Sequence, residues 1–567
     1  MITTAVSLNI SILCFACWFV AGSYGAETAN ETKVDKLFSA WDREGSPGAA
    51  LVIVKDGAVA FEHGYGYANL EDRVRITPQT IFDAASVAKQ FTGLAIAMLA
   101  GKGKISLDDD IRRHLPDVPD FGKPIYIHHL LHHTSGLRDW PETLSLSGVD
   151  MSSPITLETI LEMVRRQREL DFTPGEEHSY SNTGYNLLAA VVAKATGQSF
   201  RTWTAANIFE PLGMNHTEIC ENPAKLVPDW AMPYMPAGRS FERVISQLAA
   251  PGSSSLFISA DDMGKWLLNF ESAAVGGKQA IEQMHELGKL NSGNKVDYAF
   301  GVELTEYNGD KITKHTGSWA GYRSIVLRVP GKRFGIAILS NLGSLPTERL
   351  AREITDLYLG YEPGPQEQPP EKPIAEFRAD PSLWKPFTGT YRLGPAWLLN
   401  VTQEGTNLMA QATREAKFEM TPLSTNRFFV KAYGADVEFV RTNSAGVAYL
   451  MYRGIHAPKL RISTCTPDLL RAYAGDYWSE ELRVAYRLQV HEDELSTRHR
   501  SGTWVRLLPI DTDAFDTDPG GLSIAFTRNS KGEISELKVS AGRIRNIRFR
   551  RVADLSGTEM KSNDASR

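Results

Sequence analysis

A proline-rich segment divides this chain into two regions that cannot share one hydrophobic core. Prolines occur at positions 363, 365, 369, 370 and 373, interspersed with Gln and Glu. Proline fixes φ and removes a backbone donor, so this stretch can hold neither a helix nor a central strand. The chain of 567 residues also exceeds what one core usually organises. We therefore predict a linker over residues 362–380, with separate domains on either side.

Strand and helix patterns are mixed in the region before the linker. An apolar run at 49–54 ends in Asp56-Gly57, a hairpin turn sequence, and residues 323–329 and 334–340 have the pattern of adjacent strands joined through 330–332. A helix begins near Ser86, because apolar residues follow it at helical spacing through Leu99. These patterns predict an α+β domain over residues 27–361, in which helices accompany an antiparallel sheet.

The region after the linker repeats itself with a period of about 86 residues. Residues 387–391 match 473–477, residues 422–428 match 509–515, and 439–441 match 526–528. Both copies alternate apolar and polar residues in short runs, which favours small antiparallel barrels. We predict one barrel over 381–464, a second over 465–553, and a disordered tail over 554–567. The basic stretch 543–551 alternates as a strand with one solvated face.

The amino end resembles a secretory leader. An apolar stretch at 6–20 is followed by small residues up to Ala26, and the first basic residue is Lys33. We predict a signal peptide over 1–26 and export to the periplasm or the medium, although the usual basic start is missing. An uncleaved membrane anchor is the alternative. Two cysteines, Cys220 and Cys465, remain after such a leader, and we expect both to be free thiols.

The charge balance narrows the class of ligand. The net charge is −6 and the isoelectric point is about 6.2, whereas binding to nucleic acid requires a basic surface. A small-molecule or peptide substrate fits better. Four histidines at 128, 129, 132 and 133 have no carboxylate or thiol cluster nearby to complete a metal site. We predict no metal and no cofactor.

Ser86-Val87-Ala88-Lys89 supplies a candidate nucleophile and base. A serine hydroxyl is inert at neutral pH unless a base lies within hydrogen-bond reach. Positions i and i+3 share one face of a helix, so Lys89 can serve as that base for Ser86. The spacing alone is weak evidence, because a chain of this length contains a few such matches by chance.

Two later clusters supply further candidate site residues. In Tyr180-Ser181-Asn182, between a Pro-Gly turn and a helix predicted near Tyr185, the phenol can relay protons and the carboxamide can hold a substrate amide and a lysine ammonium. In the run 315–318, Gly317 on a strand edge would let a substrate backbone approach, and the Ser318 N–H could face an oxyanion.

The three clusters, in this order, resemble the serine penicillin-recognising family: class C β-lactamases, DD-peptidases, D-aminopeptidases and related esterases. The resemblance covers about residues 34–360 and includes the stretches 130–137 and 209–214. It implies a β-lactamase/transpeptidase-like domain, in which helices flank the antiparallel sheet and form a helical subdomain. It also implies site roles: Ser86 as nucleophile, Lys89 as base, Tyr180 in proton transfer, Asn182, His315 and Gly317 in substrate binding, and the N–H groups of Ser86 and Ser318 as the oxyanion hole.

His315 stands where efficient β-lactamases carry lysine, and a histidine is mostly neutral above pH 7. In this respect the chain resembles D-aminopeptidases and esterases more than β-lactamases. Some D-aminopeptidases also carry lipocalin-like barrels after the catalytic domain. The resemblance therefore implies a hydrolase that acts through an acyl-enzyme on peptides, D-amino-acid amides or esters. The leader predicts that it is exported, and we also expect self-association through the C-terminal barrels. The alternatives are a class C-type β-lactamase or DD-carboxypeptidase and, in another class, an acylated sensor without turnover or a ligand-binding protein.

Overall fold

The computed structural model describes residues 30–362, 380–394, 397–413, 417–430, 435–441, 447–452, 455–460, 465–499, 502–518 and 521–553. The predicted signal peptide, almost all of the predicted linker and the predicted tail lie outside these residues. Within them, no helix combines the length and the apolar character needed to cross a membrane. Cys220 and Cys465 are both free, as predicted.

A six-stranded antiparallel sheet is the centre of the first domain. Its strands are β1 (Ala49–Lys55), β2 (Ala58–Tyr65), β3 (Glu303–Tyr307), β4 (Asp310–Trp319), β5 (Tyr322–Val329) and β6 (Phe334–Ser340). Their order across the sheet is β3-β4-β5-β6-β1-β2, so the two ends of the domain meet where β1 pairs with β6. Positive φ angles at Asp56 (52°) and Gly57 (85°) form the predicted hairpin turn.

Among the residues that the structure describes, eleven α-helices accompany the strands, ten of them in the first domain and the last just before the second barrel. They are α1 (30–38), α2 (Ala88–Gly101), α3 (Ile127–Leu131), α4 (Trp140–Leu146), α5 (Leu157–Arg166), α6 (Asn182–Thr196), α7 (Phe200–Thr204), α8 (Ala260–Ser272), α9 (Gly277–Gln283), α10 (Thr347–Leu359) and α11 (Pro467–Tyr473). Minor strands pair Tyr67–Asn69 with Val74–Arg75, Ile155–Thr156 with Leu248–Ala249, Tyr234–Ala237 with Ser240–Arg243, Gly288–Lys289 with Lys295–Val296, and Leu256–Ile258 with both Phe82–Asp83 and Thr217–Ile219.

The sheet is covered on both faces, as the period of two along β1 requires. Leu51 and Ile53 pack in the cluster that includes α1 and α10. Val52 and Val54 pack in the larger cluster built on α2, α6 and α8. The predicted α+β architecture, with an antiparallel sheet between helices and an extra helical layer, is confirmed.

Two eight-stranded antiparallel barrels follow. The first contains β7 (Gly389–Gly394), β8 (Trp397–Glu404), β9 (Asn407–Ala412), β10 (Phe418–Pro422), β11 (Arg427–Val430), β12 (Ala435–Arg441), β13 (Val447–Tyr452) and β14 (Ile455–Pro458). The second contains β15 (Gly475–Ser479), β16 (Val484–His491), β17 (Glu494–His499), β18 (Val505–Asp511), β19 (Ala514–Asp518), β20 (Ser523–Arg528), β21 (Ile534–Ala541) and β22 (Ile544–Val552). The second barrel is closed, and the first nearly closes where Tyr391 meets Lys459.

Aromatic side chains fill the interior of each barrel. Phe387, Phe428 and Phe439 pack together in the first, with rings of Phe387 and Phe439 stacked at 4.4 Å. The same hydrogen bond recurs in both: the Tyr391 hydroxyl donates to the Phe387 carbonyl at 2.7 Å, and Tyr477 donates to Tyr473 at 2.8 Å. The predicted small antiparallel barrels are thus present.

The second barrel is docked on the first domain through charged residues. Arg138, whose side chain is 1% exposed, pairs with Asp171 of its own domain and with Glu481 of the barrel. Residues 544–551 of the basic stretch lie in strand β22, as predicted, and Arg543 lies in the turn before it, but the arginines are not simply solvated. Arg545 and Arg548 pair with acidic residues of the first domain because this side of the barrel faces that domain.

Candidate active site

Ser86 lies in a short 3-10 turn, Ala85–Val87, that leads directly into the buried helix α2. Ala85 has a φ of +47°, a left-handed conformation that a non-glycine residue rarely adopts. Its N–H donates to the Asp83 carboxyl at 2.8 Å, and burial raises the pKa of Asp83 to about 7. Ser86 itself is half-buried. The strained turn therefore presents the serine at the accessible end of an otherwise buried helix.

Lys89, fully buried one turn later, directs its amine at three oxygens. Nζ lies 3.2 Å from Ser86 Oγ, 2.8 Å from Asn182 Oδ1 and 2.8 Å from the Ser253 carbonyl oxygen. Burial holds the pKa of Lys89 well below its usual value. The two carbonyl oxygens can only accept hydrogen bonds, so a neutral amine donates to both of them. Its lone pair then faces the Ser86 hydroxyl.

Tyr180 also lies beside Ser86. Its hydroxyl is close enough to the Ser86 side chain to interact with it, and its ring centroid lies 4.9 Å from Lys89 Nζ. Burial raises the pKa of Tyr180 above its usual range, so the side chain is a neutral phenol at physiological pH. Asn182 is the first residue of α6, three residues before the predicted start of that helix. The Tyr-x-Asn motif thus brings both side chains to Ser86 and Lys89.

His315 on β4 is buried, with both ring nitrogens engaged. Nδ1 lies 2.7 Å from the Thr316 carbonyl oxygen and Nε2 lies 2.8 Å from the Tyr298 hydroxyl. A carbonyl only accepts, so we assign the proton to Nδ1, and Nε2 accepts from Tyr298. Burial, reinforced by Lys89, lowers the pKa of His315 to about 3. The ring is therefore neutral, unlike a lysine at this position.

Gly317 lets β4 pass directly beside the segment that carries Ser86. A Cβ atom at this position would lie 2.1 Å from Ser324 Oγ and 2.3 Å from the Ala84 carbonyl oxygen. The Ser324 hydroxyl donates to that same carbonyl at 2.7 Å. Any side chain at 317 would therefore push the strand away from Ser86.

Within the described residues, strand β3 pairs with β4 only as far as Lys314. At Ser318, β4 is therefore paired on one side only, with β5. The β4-β5 turn is a two-residue turn with positive φ at Ala320 and Gly321, which makes Trp319 and Tyr322 a hydrogen-bonded pair. Hydrogen-bonded and free positions alternate along an antiparallel strand. The Ser318 N–H therefore points away from β5, toward the open strand edge.

Three groups that the sequence motifs did not predict complete the site: the Ser253 carbonyl, Asp139 and Arg543. The Asp139 side chain is 1% exposed and accepts hydrogen bonds from the Asn182 backbone N–H (2.7 Å) and Nδ2 (3.1 Å). A carboxylate at a helix N-terminus is favourable electrostatically. Asp139 follows the 130–137 stretch by two residues, which was the available signal. Arg543 comes from the second barrel and donates to Asp139.

Comparisons with known proteins identify the family of the chain. The family model described as Beta-lactamase matches residues 34–359. The chain is 26% identical over 420 residues to Penicillin-binding protein 4* of Bacillus subtilis, a match that covers 71% of this chain and 92% of that protein. It is 24% identical over 529 residues to a D-aminopeptidase of Brucella anthropi, covering 90% of this chain and 96% of that protein.

Two further matches add to these. A D-aminopeptidase of Gluconobacter oxydans is 30% identical over 297 residues, and the match spans 52% of this chain and 56% of that protein. The solved structure of the octameric penicillin-binding protein homologue from Pyrococcus abyssi shares the fold, with a TM-score of 0.54 and 22% identity over 86% of this chain and 99% of that chain. The family match spans more than half of the sequence and contains all three motifs, and the chain accordingly belongs to the Beta-lactamase family and is a serine hydrolase.

Proposed function

We propose that this protein is an exported hydrolase that forms an acyl-enzyme on Ser86 with peptides, D-amino-acid amides or esters. The position of the Lys89 amine is the main support for this proposal. The buried Lys89 amine is held by two carbonyl oxygens so that its third position faces Ser86 Oγ at 3.2 Å. This is the geometry that a general base needs for a serine nucleophile.

In the proposed acylation, Ser86 Oγ attacks the substrate carbonyl carbon while Lys89 takes the hydroxyl proton. The N–H groups of Ser86 and Ser318 stabilise the oxyanion. The proton then passes through the Tyr180 hydroxyl to the leaving nitrogen or oxygen, and the bond to the leaving group breaks. The raised pKa of Tyr180 keeps the phenol protonated, so that it can pass on its own proton as it accepts one, and the lowered pKa of Lys89 suits a base.

Deacylation reverses the roles with water as nucleophile. Water attacks the ester carbon, Lys89 accepts its proton with Tyr180 as relay, and the bond to Oγ breaks with return of a proton to Ser86. Product and free enzyme result, and no group outside the chain and water is consumed.

His315 and the relatives support the proposed substrate class. A neutral, buried imidazole bonded to Tyr298 offers no permanent positive charge for a substrate carboxylate. The Brucella anthropi D-aminopeptidase matches over 90% of the chain, barrels included. D-Amino-acid amides and short esters are therefore the favoured substrates. The match to Penicillin-binding protein 4* favours D-alanyl peptides or β-lactams as the second candidate.

A substrate panel tests this function. D-alanine p-nitroanilide, p-nitrophenyl butyrate and nitrocefin are compared with wild-type protein and Ser86→Ala. We expect turnover of the amide or ester, and a loss of about 10³-fold or more in Ser86→Ala. Nitrocefin as the fastest substrate would favour the second candidate instead, and unchanged turnover in Ser86→Ala would contradict a serine mechanism.

A sensor that is acylated once without turnover is the alternative of another class. The aromatic cores that fill both barrels argue against an internal lipophilic ligand. Reaction with a serine-reactive fluorophosphonate, followed by mass spectrometry, locates the adduct. A burst of one product per chain with no further turnover of any panel substrate would favour the sensor.

Export and self-association are part of the same proposal. Sequencing the amino end of protein recovered from the periplasm or medium would test cleavage near Gly25 or Ala26. The Pyrococcus abyssi homologue is octameric, and light scattering on the intact chain would test whether this protein also self-associates. A monomer at micromolar concentration would contradict that part.

A further inference from the structure

A hairpin of the second barrel reaches into the active site. The tight turn between β21 and β22 carries Arg543. Its guanidinium donates to Asp139, lies 3.3 Å from Glu142 Oε1 and sits 5.5 Å from the centroid of the Tyr180 ring. A residue from the end of the chain is therefore in contact with the group beside the nucleophile.

Two residues connect this arginine to the candidate base. Asp139 accepts from Arg543 and from two N–H donors of Asn182, at 2.7 Å and 3.1 Å. The Asn182 carboxamide oxygen accepts from Lys89 at 2.8 Å. Arg543 therefore influences the orientation of Asn182. Both residues donate to the Asp139 carboxylate, and the carboxylate fixes which way the Asn182 amide points.

The same residues also act on Lys89 through their charges. Several elements direct titratable or charged groups toward Lys89 and its neighbours: Asp139 and Glu142 at α4, His133 after α3, Tyr180 and Tyr185 at α6, Lys314 and His315 on β4, and Arg543 on the hairpin. Burial keeps both imidazoles and both phenols neutral by lowering or raising their pKa values. Lys314 is paired with Glu348 at 2.6 Å.

The charges that act most on Lys89 are therefore those of Asp139 and Arg543, and they oppose each other. Burial lowers the pKa of Lys89 most strongly, Asp139 raises it, and Arg543 lowers it further. Without the arginine, Asp139 would favour the protonated amine, which cannot accept a proton from Ser86.

Contacts other than those of Arg543 also hold the second barrel on the catalytic domain. The buried Arg138 pairs with Asp171 and Glu481, and Arg548 pairs with Glu169 at the edge of the same interface. The Tyr486 hydroxyl also donates to the Leu146 carbonyl at 3.1 Å. A substitution at 543 can thus remove the charge while the barrel stays in place.

We propose that Arg543 is a positioning residue for the reaction, by which the second barrel neutralises Asp139 and keeps Asn182 and the Lys89 amine in their working arrangement. The inference rests on the proposed function, since it assumes that Lys89 acts as the base for Ser86. It assigns the second barrel a part in catalysis that extends beyond shaping access to the cleft.

The test uses the full-length protein and needs no natural substrate. Wild type, Arg543→Gln, Arg543→Lys and the control Arg548→Gln are reacted with a serine-reactive fluorophosphonate between about pH 5 and about pH 10, and the rate of Ser86 adduct formation is measured. We expect Arg543→Gln to react about tenfold more slowly than wild type on the acidic side and within about twofold at the alkaline plateau. Arg543→Lys should lie between them, and Arg548→Gln should follow wild type.

The outcomes separate the two proposals. Lack of a Ser86 adduct in wild type contradicts the proposed function itself. An adduct in wild type with an unchanged pH profile in Arg543→Gln overturns the role of Arg543. Equal slowing at every pH, or the same change in Arg548→Gln, also overturns it, because either result means loosened docking. Thermal unfolding of each variant identifies that last case.

Discussion

The first barrel (β7–β14) and the second barrel (β15–β22) share eight antiparallel strands, an aromatic core and the same internal tyrosine hydrogen bond. Their surroundings differ. The first barrel is joined to the second by Arg392 and the fully buried Asp516, at 2.8 Å. The second is joined to the catalytic domain by Arg138 and carries Arg543 to the candidate active site.

The interior is packed in both barrels, so the role of each barrel depends on the residues that its turns and surface charges contact. A single turn makes the second barrel part of the site. Four substitutions test how far the two barrels differ, in order of decreasing expected effect.

Arg138→Met should have the largest effect. It leaves Asp171 and Glu481, both buried, without their shared cation. Removing one partner of a buried ion pair costs about 3–5 kcal/mol. We expect a lower thermal unfolding midpoint, proteolysis between the domains and slow Ser86 labelling at every pH. Arg548→Gln, which breaks a half-exposed pair, is the control and should lose about 1 kcal/mol or less. A wild-type midpoint in Arg138→Met would contradict this account of docking.

Arg392→Met should destabilise the chain without affecting the chemistry. Asp516 is fully buried and would lose its cation, at a cost of about 2 kcal/mol. Labelling of Ser86 should stay within about twofold of wild type. Calorimetry and fluorophosphonate kinetics on the same preparation measure both. If labelling fell as in Arg138→Met, the first barrel would support the site as well, and the contrast between the barrels would fail.

Gly542→Ala should act on the hairpin alone. Gly542 has a φ of +53°, and a Cβ atom there would lie 3.1 Å from Glu142 Cγ. The left-handed conformation costs about 1–2 kcal/mol for a residue with a Cβ. We expect labelling about threefold slower at acidic pH, as the tip moves from Asp139. Gly532→Ala is the matched control in the same barrel, because Gly532 also has positive φ (+79°) but has open space around it. Equal slowing in both variants would point to strain in the barrel.

Glu142→Gln should have the smallest effect. Burial, with a contribution from Asp139, raises the pKa of Glu142 to about 7. A carboxyl whose pKa is raised on folding destabilises the folded state once it ionises, so wild type should lose stability relative to the glutamine variant as pH rises from about 4.5 to about 7. The full shift would give about 3 kcal/mol, but Glu142 is 24% exposed and lies beside Arg543, so we expect a gap of about 1 kcal/mol at pH 8 and almost none at pH 5. Unfolding midpoints at these two pH values measure it, and a pH-independent gap would contradict it.

Local patterns made much of this architecture predictable. The strands of the central sheet, the Asp56-Gly57 turn and the start of α2 follow from periodicity and turn chemistry, which act over a few residues. The structure brings Ser86, Lys89, Tyr180, Asn182 and His315 together because their motifs lie at the ends of such elements.

The remaining site residues depend on contacts that no local pattern encodes. Asp139 and Arg543 are separated by 404 residues. The alternation of residues 543–551 correctly predicts a strand, but periodicity cannot tell a face that meets water from one that meets another domain. Ser253 contributes only its backbone carbonyl, so its side chain carries no signal of that contact.

The sequence separation of Arg543 from the catalytic motifs has a consequence for biosynthesis. Because a chain is made from its amino end, Ser86, Lys89 and Tyr180 leave the ribosome long before Arg543 does. If Arg543 balances Asp139 as proposed, an unfinished or clipped chain retains an uncompensated acid beside its lysine. Full reactivity then arises only when the second barrel has folded and docked, which keeps incomplete copies from acting as hydrolases.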